Sequence, residues 1–149
     1  MRIIKSQLIL LAIYQSFIGC VSDTCNEPKA LEAGQGQFVN ELISVNGLSA
    51  SDVYYSTQNG MGCETPNIYT LTVSNKSLKS IPSSIASLKY LRSITLYNDS
   101  LDSLPSALIS LRNLESIDVD SNSICSATAE MDAFLSKINF HWAKTQKCP

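Results

Sequence analysis

Charged residues and histidines are scarce in this chain of 149 residues. The 11 lysines and arginines are outnumbered by 13 acidic residues and form no cluster, which argues against a nucleic-acid partner. The single histidine, His141, leaves little material for a histidine-based catalytic or metal site. It has no serine-elbow motif and no cysteine partner in the sequence, so we predict a protein without enzymatic activity and without a cofactor.

Long apolar runs are absent beyond residue 20, which excludes a polytopic membrane protein. The hydrophobic fraction of 44% is ordinary and the net charge is only -2, so long disordered tracts are not expected either. A calcium loop is suggested by Asp118-Val119-Asp120-Ser121-Asn122. Such a loop needs glycine at its sixth position and glutamate at its twelfth, where this chain has Ser123 and Ala129. We therefore predict no metal site.

The first 19 residues have the layout of a secretory signal peptide. Arg2 and Lys5 precede an apolar stretch that is too short to span a bilayer. Phe17-Ile18-Gly19-Cys20 resembles a bacterial lipobox, although Phe17 departs from the usual leucine. That resemblance implies that Cys20 is lipidated as the first residue of the mature protein. Ordinary cleavage after Cys20 or after Ser22, giving a soluble secreted protein, is the alternative.

The middle of the chain is a repeat with a period of 23 residues. Apolar residues recur in register at Leu71, Ile94 and Ile117, and the other registered positions behave in the same way. Within each period, apolar and polar residues alternate over a short segment, which predicts a strand with one buried face. Pro82 and Pro105 lack a donor N–H, so they interrupt any β-ladder and set φ for the return path. The apolar spacing of three that follows predicts a helical or 3₁₀ turn there: Ile85, Leu88 and Leu91.

This pattern resembles the 23-residue class of leucine-rich repeats. The resemblance implies an α/β fold, a short solenoid with parallel strands on a concave face, an irregular or helical convex side and a cap at each end. One departure concerns the turn asparagine of the family, whose position holds Lys76, Asp99 and then Asn122. Asn75 and Asn98 lie one residue earlier, as possible substitutes, and each begins a glycosylation sequon whose use the sequence does not decide.

Four domains follow from these features: a signal peptide over 1–19, a lead-in and cap over 20–67, repeats over 68–125 and a helical cap over 126–149. The N-terminal cap is expected to contain a helical stripe of Phe38, Val39, Leu42 and Ile43, followed by the aromatic segment Tyr54-Tyr55. The C-terminal cap is expected to be one amphipathic helix that buries five residues at helical spacing: Met131, Phe134, Leu135, Ile138 and Trp142.

Five cysteines are an awkward number in an oxidising compartment, where thiols pair. With Cys20 lipidated or removed, four remain and allow three connectivities. We favour Cys25–Cys63 and Cys125–Cys148, because the other two connectivities must bridge opposite ends of an elongated array.

Alternate residues of the three predicted strands point to the concave face, which carries partner recognition in the family. We predict a partner-binding row in which Tyr97 is the leading anchor: Thr70, Thr72, Ser74, Ser93, Thr95, Tyr97, Ser116, Asp118 and Asp120.

The resulting hypothesis is an exported, lipid-anchored, monomeric protein at the cell surface or in the envelope that binds a protein or cell-surface ligand through this face. Two alternatives stay open. One is a structural envelope component without a specific ligand. The other is a secreted hydrolase or inhibitor, which is disfavoured because the repeat supplies no nucleophile–base pair.

Overall fold

A computed structural model describes residues 30–58 and 65–149 of the chain. In order, the main elements are α1 (Ala33–Asn46), β1 (Tyr54–Gln58), β2 (Asn67–Ser74), β3 (Ser93–Tyr97), β4 (Ser116–Asp118) and α2 (Ala129–Ile138). Short 3₁₀ helices lie at Ala50–Asp52, Ser83–Ser87, Ser106–Ser110 and Trp142–Thr145. The signal peptide, Cys20 and the predicted Cys25–Cys63 bond all lie outside the described residues. None of the helices in the described part has the length and apolarity needed to cross a membrane.

The predicted parallel strands and their 23-residue register are confirmed. Leu71 pairs with Ile94, and Ile94 pairs with Ile117, in a sheet whose strand order is β1-β2-β3-β4. The inward side chains of β2, β3, β4 and the residue after β4 are buried: Leu71, Val73, Ile94, Leu96, Ile117 and Val119. The repeat holds its register because each coil buries its apolar face only against its neighbours.

The convex side also follows the predicted path in the first two repeats. Pro82 and Pro105, with φ of -60° and -68°, immediately precede the 3₁₀ helices Ser83–Ser87 and Ser106–Ser110. Proline suits this position because its fixed φ is close to helical values and its missing N–H is not needed there. The apolar residues that follow close the core opposite the sheet: Ile85, Leu88, Leu91, Leu108, Leu111 and Leu114.

One strand of the sheet was not predicted. Tyr54–Gln58, interpreted from the sequence as part of an aromatic cap segment, forms β1 and pairs antiparallel with β2. Its tyrosines and threonine are residues that favour strands. The register shifts between Ser56 and Thr57, as in a β-bulge, which bends this edge strand.

The N-terminal cap is the helix that the stripe predicted. Phe38, Val39 and Leu42 of α1 are buried in the core, and Ile43 packs against it half-buried. The helix ends at Gly47, whose φ of 64° is a left-handed conformation that glycine adopts without strain.

The single C-terminal helix predicted to extend as far as Trp142 is wrong in its extent. Helix α2 begins after its N-cap Thr128 and ends at Ile138, and Trp142 opens a separate 3₁₀ helix. The break comes at Asn139, whose side-chain amide donates to the Ile117 carbonyl (3.1 Å) and whose side-chain oxygen accepts from the His141 N–H (3.2 Å). The second bond satisfies the His141 N–H, which a continued helix would otherwise pair, and the first ties the end of the helix to β4.

The five predicted cap residues still face the core. Met131, Leu135 and Trp142 are buried, whereas Phe134 and Ile138 are half-buried. The predicted Cys125–Cys148 disulfide is present, with a sequence separation of 23 residues and a Cα–Cα distance of 5.4 Å. It closes the C-terminal cap onto the last repeat.

Candidate binding face

The predicted binding row forms an ordered grid on the concave side of the sheet. Strand pairing places Thr70 beside Ser93 and Ser93 beside Ser116. It also places Thr72 beside Thr95, Thr95 beside Asp118, and Ser74 beside Tyr97. Asp120 lies just past the end of β4. All nine side chains are exposed or half-buried. The structure therefore brings these predicted residues together on one surface.

Tyr97 is the largest side chain of this grid. It ends β3 with 42% of its surface exposed, and the next residue, Asn98, is left-handed with a φ of 54°. The Tyr97 carbonyl accepts a hydrogen bond from the Asn75 N–H at 3.0 Å, so the backbone below the ring is held to the preceding coil. A rigid, exposed tyrosine is a favourable anchor for a partner because little entropy is lost when it is buried.

Sequence reasoning missed a second tyrosine on the same face. Tyr54 of β1 pairs with Thr72, and directly paired residues in a sheet point to the same side. Two pairs further along, the Ser56 and Thr70 hydroxyls lie 2.6 Å apart, which shows that these paired side chains also share a side of the sheet. Tyr54 is 66% exposed and lies about 12 Å from Tyr97, from strand spacing and rise. The signal that could have revealed it is the β-favouring run Tyr54–Gln58.

The two ends of the face differ in charge. Near β4, the Asp118 carboxylate accepts from the Asp120 N–H (3.0 Å), and the Asp120 carboxylate accepts from the Thr145 hydroxyl (2.7 Å). Near β1, the Lys76 ammonium pairs with Asp52 at 2.6 Å. Hydrogen bonds from Lys76 and then from Ser49 lower the pKa of the Asp52 carboxyl. The cationic end is therefore neutralised within the chain, whereas the acidic end is anchored only by neutral donors.

A chain of polar side chains borders the face where the strands end. The Asn98 amide donates to the Asn75 side-chain oxygen at 2.7 Å, and the Lys147 ammonium donates to the Asn98 oxygen at 2.5 Å. Asn75 and Asn98 thus link successive coils at the surface, but they do not replace the buried turn residue.

The buried turn position is occupied by Asp99 and Asn122, both fully buried. Asn122 accepts from the Asp99 N–H (2.9 Å) and the Leu101 N–H (3.1 Å). Asp99 accepts from the Lys76 N–H (2.8 Å). The turn ladder, in which each buried turn side chain binds the backbone of the preceding coil, therefore continues by one more coil through an acidic residue. Lys76, at the same position of the first repeat, is exposed and its side chain takes no part in it.

Within residues 30–58 and 65–149, the calcium loop and the histidine site that the sequence raised have little structural support. No group of three or more histidine, cysteine or acidic side chains there is placed to hold a metal ion. The proposed calcium-like segment instead supplies Val119 to the core and Asn122 to the turn ladder. His141 is exposed and makes an edge-to-face contact with Phe140, with ring centres 5.2 Å apart.

Comparisons with known proteins agree with this geometry. Residues 66–124 match a family model described as leucine rich repeat. No curated protein matches the chain. Among solved structures, the chain is similar to the leucine-rich-repeat ectodomain of the receptor kinase SOBIR1 from Arabidopsis thaliana, with 18% identity and a TM-score of 0.52. The match covers 63% of this chain and 56% of the ectodomain. At this identity it supports a similar fold and does not extend to function.

Proposed function

We propose that this leucine-rich-repeat protein is a binding protein that takes a protein partner on its concave face. The observation that supports this most is the arrangement of Tyr97 and Tyr54, which are exposed on one regular sheet surface and flanked by small hydroxyl side chains. Exposed aromatic residues on a rigid scaffold are typical of interaction hot spots.

The size of the face suits a small and transient contact. Four strands at about 5 Å spacing give a width of only ~15–20 Å, which is below the span of a standard stable interface. The aspartates near β4 carry no ion pair within the described chain, so a partner residue that contacts this end should be polar or cationic. This arrangement favours fast exchange over tight, permanent association.

Export and a lipid anchor at Cys20 complete the proposal. The Cys125–Cys148 disulfide supports an oxidising compartment, and the apolar segment ending in Gly19-Cys20 supports lipidation. Two acyl chains on Cys20 would hold the protein firmly on a membrane, with its binding face accessible. If Cys20→Ala leaves both membrane association and lipid incorporation unchanged, a lipid anchor at Cys20 is excluded.

The binding proposal is tested by capture of surface proteins from the source cells with the mature protein as bait. Tyr97→Ala should lower recovery of the specific partner at least fivefold, and Asp118→Ala should lower it less, about twofold, as rim contacts do. Tyr90→Ala is the matched control, because Tyr90 is a tyrosine of similar exposure (49%) that lies outside β2, β3 and β4.

The structural alternative, an envelope component with no specific ligand, makes the opposite prediction. It requires that Tyr97→Ala and Tyr90→Ala recover the same proteins in the same amounts as the unaltered chain. Melting temperatures of all variants have to be compared first, since an unfolded bait would lose partners for a trivial reason.

A further inference from the structure

Asp99 and Asn122 occupy the same position of successive repeats, 23 residues apart, and only Asn122 has all of its polar atoms satisfied. The Asn122 oxygen accepts two backbone N–H groups. Its amide nitrogen donates to the Leu96 carbonyl at 2.6 Å and to the Val119 carbonyl at 2.8 Å. The asparagine therefore needs both an acceptor atom and a donor atom to close its turn.

An ionised Asp99 has an acceptor oxygen equivalent to that of Asn122, but it has no group equivalent to the donor amide. Its Oδ1 accepts from the Lys76 N–H at 2.8 Å. Its Oδ2 is buried and has no hydrogen-bond partner among the residues that the structure describes. By the repeat, the carbonyls equivalent to those that Asn122 binds are those of Val73 and Leu96. A charged oxygen near two carbonyl oxygens is unfavourable, because acceptors repel one another and burial removes water.

We propose that Asp99 is a protonation switch in the turn that follows β3. In the neutral form, a proton taken from solvent resides on Oδ2, and the resulting hydroxyl donates to a backbone carbonyl as the Asn122 amide does. In the ionised form, the proton returns to solvent and the turn contains an uncompensated buried charge. The inference concerns folding, and it is independent of any partner of the concave face.

The local backbone makes this turn sensitive to its side-chain bonds. Asn98 and Ser100, on either side of Asp99, have φ values of 54° and 60°, in the left-handed region. Serine has no special preference for that region, so the conformation must be held by surrounding bonds. The Asn98 N–H donates to the Asp120 carbonyl (2.9 Å), and the Asp99 carbonyl accepts from the Leu78 N–H (2.7 Å). Loss of the bond at Oδ2 therefore weakens a turn that joins three coils.

Burial has a larger effect on the pKa of Asp99 than the charged groups around it have. Burial raises the pKa of Asp99 from 3.8 to about 6, against the opposing effects of the Lys76 N–H and the Lys76 ammonium. That ammonium is already paired with Asp52, and Tyr54 lies near it. On the side of the next coil, the charged groups have partners of their own: Asp120 on Thr145, and Lys147 on Asn98.

The switch has a defined direction. The pKa in the folded protein lies above the unfolded value of 3.8, so folding favours the protonated carboxyl. The resulting stabilisation is complete below pH 3.8 and is lost as the pH rises through about 6. Between about pH 5 and pH 7, the equilibrium constant for unfolding should increase about tenfold from this group alone.

Urea unfolding of the full mature chain, with disulfides intact, tests the switch at several pH values. Asp99→Asn supplies the missing donor, so this variant should lose the tenfold change and should equal or exceed the unaltered protein in stability near pH 7. Asp102→Asn is the matched control: Asp102 is an exposed aspartate three residues further along that accepts from the Ser103 hydroxyl, and its removal should leave the pH dependence intact.

A direct readout is the carboxyl carbon resonance of Asp99, which should titrate near pH 6 and be absent from the Asp99→Asn spectrum. The proposal is overturned if that resonance titrates near 3.8, or if Asp99→Asn keeps the full pH dependence of unfolding. Failure of Asp99→Asn to fold would also contradict it, because the asparagine amide should make the same bonds as the neutral carboxyl.

Discussion

The two ends of the solenoid are covered in different ways, although each presents the same kind of apolar surface. At the N-terminal end, α1 and the antiparallel strand β1 extend the structure beyond the repeats. At the C-terminal end, α2 and the segment around Trp142 fold back and are joined to the last coil by Cys125–Cys148. A solenoid end can therefore be closed by continuing its sheet or by tying down a separate cap.

Polar contacts show the same contrast. In the N-terminal cap, β1 pairs with β2 along the backbone, whereas α1 reaches the repeats through side chains. The buried one is Gln35, which accepts from the Ile68 N–H (2.7 Å) and donates to the Asn67 side-chain oxygen (2.8 Å). The C-terminal cap contacts the last coil through backbone groups that belong to no strand pair. Ser121 N–H donates to the Thr145 carbonyl (3.0 Å), and Lys147 N–H donates to the Asn122 carbonyl (2.6 Å). We infer that the C-terminal cap can open without the N-terminal one.

The largest effect should come from the coil between the two ends. Leu96→Ala removes a fully buried side chain and should lower the free energy of unfolding by ~2–5 kcal/mol through the cavity that it leaves. Because both caps pack on this shared core, they should lose protection from hydrogen exchange together. A half-buried residue on the outward side of the same strand, changed as Thr95→Ala, should have a much smaller effect, and equal losses in the two variants would contradict the assignment of Leu96 to the core.

The next effect should be confined to one end. Replacing both cysteines, as Cys125→Ser with Cys148→Ser, opens a loop of about 22 residues and should reduce stability by ~3 kcal/mol. Hydrogen exchange should accelerate in α2 while α1 stays protected. Simultaneous loss in both helices would show that the two caps are not independent. Peptide mapping of the unreduced chain should recover Cys125 linked to Cys148, and a link from Cys25 or Cys63 to either of them would overturn the two-cap arrangement.

The smallest of the three effects concerns Gln35. Gln35→Ala leaves the buried Ile68 N–H without its acceptor, so the free energy of unfolding should fall by about 1–3 kcal/mol. Gln37→Ala is the control, because Gln37 is exposed and its side-chain amide donates to Glu41 in the same helix, and it should change stability by less than about 0.5 kcal/mol. If thermal or urea unfolding gives the same value for both variants, Gln35 does not anchor the cap.

The parts of the fold that were predictable share one property, a period in the sequence. The sheet could be predicted because every coil buries the same position, occupied by Leu71, Ile94 and Ile117. Helix α1 could be predicted because one of its faces is buried, with Phe38, Val39 and Leu42 at helical spacing. The proline-initiated turns follow from the fixed φ of proline.

The parts that were not predicted depend on contacts between segments that are distant in the sequence. Asn139 ends α2 by binding the Ile117 carbonyl, 22 residues earlier. Tyr54 joins the concave face only because β1 pairs with β2. Neither contact leaves a periodic mark. The nine-residue grid could be predicted because strand alternation fixes which residues share a face, but alternation carries no information about the partner.

Site-specific photo-crosslinking on the concave face tests the central claim most directly. A photoreactive phenylalanine analogue is placed at position 97 in one protein and at position 90, outside the face, in a matched control, and both are illuminated in the source cells. We expect a discrete crosslinked species of defined mass from position 97 and none from position 90. Equal crosslinking from both positions, or none from position 97 in a folded protein, would contradict a concave-face partner.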